Sequence, residues 1–231
     1  MKIVLQKFIA QSGYCSRRKA ESFIVNEKVL VNGEIAHLGM RVDENDEVKI
    51  CGKKIEPETK KKYVILNKPT GYTCTNRSFK NEKNVFNLVK VDERLFVVGR
   101  LDKNSRGLVL LTNDGELTQK LTHPSFEHEK EYEVQLLINN LQFSIKDIIK
   151  KVKAGIDIGD NDGVVKVKDI RHLGENKFRV ILTEGKKRQL RRMFGVLGYR
   201  VESLTRVRIG KIELGDLKEG EWKYIKKEEI N

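Results

Sequence analysis

The order of apolar and polar positions in the first fifty residues predicts two helices followed by a small sheet. Residues 2–12 place their apolar side chains at helical spacing and end at Gly13, and Ser16, a favourable N-cap, precedes a second stretch of helical spacing. Short apolar runs follow. They predict strands at 29–31, before the turn Asn32-Gly33, and at 47–50.

Beyond residue 62 the same patterns predict strands interspersed with helices. The predicted strands cover 63–66, 95–98, 108–111, 128–136, 164–165 and 178–182, and the predicted helices cover 116–121 and 144–153. Apolar side chains at helical spacing, namely Leu190, Met193, Phe194 and Leu197, predict a further helix. The polar, strongly charged residues 53–62 are typical of a linker.

A polar turn separates two of these apolar strands. The turn follows Gly99 and carries Asp102, with Arg100 on one side and Arg106 on the other. The two cations favour an ionised carboxylate and attract phosphate, which suits a nucleophile that acts on a polyanion. The same spacing also fits a plain strand-turn-strand with a capped aspartate.

Two basic clusters add candidate anion contacts. Arg17, Arg18 and Lys19 occupy the first turn of the second predicted helix, where the helix dipole disfavours cations, so either an external anion or a solvated helix face explains them. The segment 184–194, EGKKRQLRRMF, is the densest basic cluster, with its apolar side chains on one helical face and its cations on the other.

Charge and composition restrict the kinds of partner. Lys and Arg number 46 against 33 Asp and Glu, a net charge of +13, which favours a nucleic acid or an anionic membrane surface. Apolar runs fall short of the roughly 20 residues that span a bilayer, and the N-terminal residues do not form a convincing signal peptide, so we expect a cytoplasmic protein with no membrane partner. Neither the three cysteines nor the four histidines show metal-ligand or catalytic-triad spacing.

The motif GRLDKNSRGLVLLTNDG, residues 99–115, resembles the catalytic motif of the RsuA-type bacterial ribosomal RNA pseudouridine synthases. The resemblance implies that Asp102 is the catalytic residue and that Arg100 holds the target base out or fills the space it leaves. KPTG, which begins at Lys68, resembles a motif that structures the active-site cleft. KEYEV resembles the motif whose tyrosine, here Tyr132, stacks on the target base and is credited with removing the C5 proton.

Two further stretches extend the resemblance over nearly the whole chain. EGKKRQLRRM resembles a third motif, which implies that Arg191 pairs with Asp102 and that Leu190 packs beside the base. GYCSRRKAE followed by VLVNG resembles an S4 RNA-binding domain. S4 domains commonly have glycine where Glu27 stands here, and we expect Asn26 to adopt the left-handed turn instead.

The resemblance implies an α+β protein with an S4 domain at residues 1–52, a linker at 53–62 and a pseudouridine synthase domain at 63–231. That second domain is expected to contain a mixed, mostly antiparallel sheet. The resemblance also implies an isomerisation that needs no cofactor and no metal. The expected catalytic residues are Asp102, Tyr132 and Arg191, and the expected substrate-binding residues are Arg100, Leu190, Lys68, Arg17, Arg18, Lys19, Arg188 and Arg192.

The expected substrate is 23S ribosomal RNA in preference to 16S, with transfer RNA as a further candidate. We expect a monomer, and no exposed heptad pattern indicates a coiled coil, although the sequence does not determine the oligomeric state. A non-catalytic S4-type ribosome-assembly factor is the alternative, although a pure binder has no reason to keep Asp102, Tyr132 and Arg191 together. A hydrolase is disfavoured because it would need a metal-binding cluster of carboxylates. Attack of Asp102 on the base, attack on the ribose and a glycal route all stay open.

Overall fold

The protein is described from a computed structural model that covers residues 2–76, 80–126, 128–137 and 144–230. The chain divides into two compact units. The first contains the chain up to Lys62 together with Val91–Phe96 and Thr112–Gly115, and the second contains the remainder.

The first unit pairs two helices with short strands. It contains β1 (Ile3–Val4), α1 (Leu5–Gln11), α2 (Arg17–Val25), β2 (Val29–Val31), β3 (Glu34–Ile35), β4 (Arg41–Val42), β5 (Val48–Ile50) and β6 (Lys53–Ile55). A four-stranded antiparallel sheet runs in the order β3-β2-β5-β6, and β1 pairs with β4. Apolar side chains from both helices and the sheet form one core, which includes Leu5, Ile9, Ile24, Val29 and Ile50.

Local chemistry explains where these elements begin and end. The Ser16 side chain caps α2 by accepting a hydrogen bond from the Lys19 N–H, as predicted. Asn32 and Gly33 both have positive φ, as a tight hairpin turn requires. The expectation for Asn26 is wrong, because Asn26 has φ −89° and Glu27 itself takes the left-handed conformation, with φ 55°.

The range predicted as a linker begins with a strand. Lys53–Ile55 pairs antiparallel with Val48–Ile50 and buries Ile55 against the core, so these three residues belong to the first unit's sheet. The flanking lysines are exposed, and one buried side chain per strand is a weak periodic signal.

The second unit is built on a nine-stranded sheet. The sheet contains β7 (Tyr63–Lys68), β8 (Phe96–Val98), β9 (Arg106–Thr112), β10 (Lys130–Leu137), β13 (Asp169–Gly174), β14 (Lys177–Leu182), β15 (Arg200–Ile209), β16 (Ile212–Glu213) and β17 (Trp222–Tyr224). Two further strands, β11 (Ile156–Asp157) and β12 (Val164–Val165), lie outside it. The order is β13-β14-β10-β15-β9-β7-β17, with β16 on β15 and β8 on β9, while β11 pairs with β12. β15 runs parallel to β9 and antiparallel to β10 and β16.

Helices complete this unit. They are α3 (Gly115–Thr122), α4 (Ile145–Ala154) and α5 (Gln189–Val196), with 3₁₀ turns at Val85–Asn87, Pro124–Phe126 and Lys227–Glu229. Leu117 and Leu121 of α3 join Leu108 and Leu110 of β9 in a buried cluster. The helices and the mixed, mostly antiparallel sheet confirm the α+β class.

Candidate active site

The loop between β8 and β9 presents Asp102 to solvent. Leu101 is buried and Ser105 is fully buried, and the Ser105 N–H donates a hydrogen bond to the Asp102 carbonyl oxygen at 3.0 Å. The loop therefore fixes its backbone by burying the side chains on either side of an exposed carboxylate.

Lys68 lies beneath this loop. Its ammonium is fully buried and donates to the carbonyl oxygens of Pro69 at 2.8 Å, Tyr72 at 2.9 Å and Lys103 at 3.4 Å. Burial lowers the pKa of Lys68 to about 8, against the opposing effect of nearby groups that include Asp102. The Lys68 ammonium therefore donates to the main chain that supports Asp102, and substrate binding by Lys68 stays a prediction.

Arg206 holds both ends of the same loop. This guanidinium on β15 is 1% exposed, and it donates from Nε to the Leu108 carbonyl at 2.8 Å and from Nη2 to the Gly99 carbonyl at 2.9 Å. The sequence analysis missed this role. The available signal was the alternation of β15, in which Leu204 and Arg206 fall on the same inward face.

Tyr132 lies in the same row of the sheet as Arg206. On β10 it pairs with Arg206 of β15, which in turn pairs with Gly107 of β9. Directly paired residues share a face, and neighbouring strands lie about 4.8 Å apart, so this row spans roughly 10 Å. Because Arg206 reaches Gly99 and Leu108 from this face, the Asp102 loop and the largely buried Tyr132 ring lie on the same side of the sheet.

Arg191 holds the loop from α5. Its Nη2 donates to the Asn104 carbonyl at 2.9 Å and its Nη1 to the Val201 carbonyl at 3.0 Å. Burial and the neighbouring Arg188 lower the pKa of the Arg191 guanidinium, and the Asp102 charge opposes them. Across the described ranges Asp102 forms no ion pair within 4 Å, so the expected pairing with Arg191 is not made, since both of its Nη atoms bond to carbonyls.

The other basic residues of the third motif separate into two kinds. Arg192 is used internally, with ion pairs to Asp162 at 2.6 Å and Asp160 at 3.4 Å and further bonds to the carbonyls of Ile158 and Gly159. Its expected contact with substrate stays a prediction, since these partners already use its guanidinium. Arg188, by contrast, is exposed in a left-handed conformation at the start of α5.

The remaining predicted contacts differ in exposure. Arg100 is exposed, whereas Leu190 is 3% exposed on the buried face of α5. In the first unit, Arg17, Arg18 and Lys19 are all exposed in the first turn of α2, which contains no acidic residue.

The described residues contain no group of three or more His, Cys, Asp or Glu side chains positioned to hold a metal ion. None of the helices among them is long and apolar enough to cross a membrane.

Comparison with known families matches both parts of the chain. Residues 62–195 match the family described as RNA pseudouridylate synthase, and residues 5–48 match the S4 domain. A crystal structure of a pseudouridylate synthase superposes with a TM-score of 0.71 at 29% identity, covering 99% of this chain and 98% of that one.

Two relatives match this chain over nearly its whole length. An uncharacterised RNA pseudouridine synthase of Aquifex aeolicus is 38% identical over 100% of this chain and 93% of its own length. The dual-specificity RNA pseudouridine synthase RluF of Escherichia coli is 36% identical over 98% of this chain and 76% of its own length. The chain therefore belongs to the RNA pseudouridylate synthase family, as the resemblance to the RsuA type implied, and it is an isomerase that acts on RNA.

Proposed function

We propose that the protein converts a specific uridine of 23S ribosomal RNA into pseudouridine in the cytoplasm, as a monomer, with Asp102 as the catalytic carboxylate. The observation that carries this proposal is that buried and half-buried cations hold the main chain of the Asp102 loop in place. An exposed carboxylate stands on a loop whose main chain is held by Lys68, Arg191 and Arg206. A reacting group gains most from such a fixed position, because orientation is established before the substrate arrives.

The reaction sets the requirements for the site. The bond between uracil N1 and ribose C1′ breaks, a bond between C5 and C1′ forms, the C5 proton leaves and N1 gains a proton. The atoms and electrons balance within the substrate, and Asp102 serves as nucleophile towards the base or the ribose, or as the charge that supports a glycal route.

The uracil must leave its stack to reach Asp102. Extruding a base costs roughly a few kcal/mol, and stacking on an aromatic ring returns about 1–3 kcal/mol. Tyr132 offers that ring on the same face of the sheet as the loop, with its hydroxyl as acceptor of the C5 proton. Arg100 is exposed at the loop and fills the space that the base leaves.

Affinity for RNA comes from the exposed cations. Arg17, Arg18 and Lys19 on α2 and Arg188 at α5 are exposed and suited to phosphate contacts, which give affinity without sequence choice. RluF is named a dual-specificity enzyme, which supports testing a second RNA class beside 23S ribosomal RNA, and transfer RNA is the further candidate from the sequence analysis.

The test is tritium release from [5-³H]uridine in unmodified 23S, 16S and transfer RNA. Wild type is expected to release tritium from 23S RNA, whereas Asp102→Asn, which removes the charge at nearly constant shape, releases none. Asp216→Asn, an exposed aspartate elsewhere in the second unit, is the matched control and keeps wild-type activity. Full activity of Asp102→Asn contradicts its catalytic role, and release from 16S RNA alone contradicts the proposed substrate.

A further inference from the structure

A cleft opens in the second unit between α5 and the start of β15. It encloses about 790 Å³, a volume within the range of roughly 300–1,000 Å³ typical of small-molecule sites. Among its lining residues are Asn104, Leu137, Arg188, Arg191, Gly195 and Arg200. We call this the α5–β15 cleft.

Its charge and shape suit single-stranded RNA. Three arginines, Arg188, Arg191 and Arg200, line it against one carboxylate, Glu202. Leu137 adds apolar surface, being 36% exposed, and guanidinium planes and apolar surface are where unpaired bases stack. A methyl group added at Gly195 would meet no atom within 4 Å, so α5 leaves this part of the cleft open.

The cleft also adjoins the Asp102 loop. Asn104 and Arg191 belong to both, joined by the 2.9 Å hydrogen bond from Arg191 to the Asn104 carbonyl. Asn104 is two residues after Asp102, so their Cα atoms lie within about 7.6 Å of each other. The Nε of Arg191, a lining residue, is buried and has no hydrogen-bond acceptor among the described residues.

We propose that the α5–β15 cleft binds an unpaired nucleotide next to the target uridine, with the base against Leu137 and the phosphate facing Arg188 and Arg200. This subsite rests on the proposed function for its place beside the target. It makes Gly195 and Arg200 binding residues for the flanking nucleotide and not for the reacting base, Gly195 because it leaves room in the cleft and Arg200 because it faces the phosphate.

The cleft can be filled by a substitution on α5, which leaves the sequence of the Asp102 loop unchanged. Gly195→Trp on the full chain places a large side chain in the open space, and Val196→Trp, at the next residue of α5, is the matched control, since Val196 is 61% exposed and does not line the cleft. Fluorescence anisotropy with a labelled eight-residue oligouridylate measures binding without requiring catalysis. We expect Gly195→Trp to weaken binding about 10-fold and Val196→Trp to leave it unchanged.

Tritium release from 23S RNA then separates this proposal from the proposed function. Weaker oligouridylate binding by Gly195→Trp supports the cleft even where wild type releases no tritium. Equal binding by the two tryptophan variants overturns it, even where wild type is fully active. Where Gly195→Trp fails to fold, Arg200→Gln is the deciding variant. Arg200→Gln is expected to make the log–log dependence of oligouridylate binding on salt shallower by about 0.7, which corresponds to one lost phosphate contact. Lys223→Gln on β17 is the control and is expected to leave this slope unchanged. An unchanged slope for Arg200→Gln also overturns the proposal.

Discussion

Gly107 lies directly against the main chain of Arg206. The two residues pair across the parallel strands β9 and β15, and a Cβ atom at Gly107 would lie 2.8 Å from the Arg206 nitrogen and closer still to its carbonyl oxygen. Gly107 also has φ +104°, a conformation that side chains rarely adopt. Only glycine lets β9, the strand that follows Asp102, lie this close to β15, the strand that carries Arg206.

Gly107→Ala should therefore destabilise the protein strongly. We expect the free energy of unfolding to fall by about 3 kcal/mol or more, from steric overlap together with backbone strain. Chemical denaturation measures this. The control is Gly215→Ala, where φ is +55° but no atom lies within 4 Å, with an expected loss of about 1–2 kcal/mol. Equal losses in the two variants would contradict the close approach.

Lys68 predicts a dependence of stability on pH. Burial lowers its pKa from 10.5 to about 8, so between these values the unfolded chain binds more protons than the folded one. The contribution of Lys68 to stability should therefore rise with pH from 8 to 10.5, by at most about 1.4 kcal/mol per pH unit. The measurement is the difference in unfolding free energy between wild type and Lys68→Met at several pH values. A difference that stays flat or falls would be inconsistent with the lowered pKa.

Arg192 and Arg188 should respond in opposite ways to the same substitution. Arg192→Gln removes the partner of Asp162 and of the Ile158 carbonyl, and we expect a loss of stability of about 1.5–3 kcal/mol with little change in RNA affinity. Arg188→Gln should weaken RNA binding and leave stability nearly unchanged. Thermal unfolding and RNA titration on both variants check this, and weaker RNA binding by a stably folded Arg192→Gln would support its predicted contact.

The α2 cations predict a salt dependence. Replacing Arg17, Arg18 and Lys19 together with glutamine should make the log–log dependence of RNA binding on salt shallower by about 2–3, which corresponds to three lost phosphate contacts. The control changes the same charge on α4, replacing the exposed Lys146, Lys150 and Lys151 with glutamine. If both triple variants lower the slope equally, the effect is one of overall charge and not of α2.

Regular local patterns were enough to predict much of the fold. The Ser16 cap, the Asn32-Gly33 turn and the alternation that buries Tyr132 each depend on residues close together in the sequence. Glu27 shows the limit, since its left-handed conformation follows from how α2 and β2 must join and not from its own preference.

Long-range contacts explain what the sequence left open at the site. Arg206 donates hydrogen bonds to the carbonyls of Leu108 and Gly99, which precede it by 98 and 107 positions in the sequence. No local spacing of residues predicts contacts over such separations. Lys68 and Arg192 are cations in family motifs, which favours their interpretation as RNA contacts, but both donate to acceptors within the protein. Exposure, which the sequence does not give, separates Arg188 from Arg192.

Lys68, Arg191 and Arg206 support the Asp102 loop in the same way: the acceptors that they use at the loop and its two ends are the main-chain oxygens of Gly99, Lys103, Asn104 and Leu108. Such oxygens are present whatever the side chain. Lys103 and Asn104 are therefore open to replacement while the carboxylate between the anchors keeps its place. Because main-chain hydrogen bonds hold the loop while the side chains of Lys103 and Asn104 are exposed, these two positions suit directed evolution of the enzyme towards a different RNA.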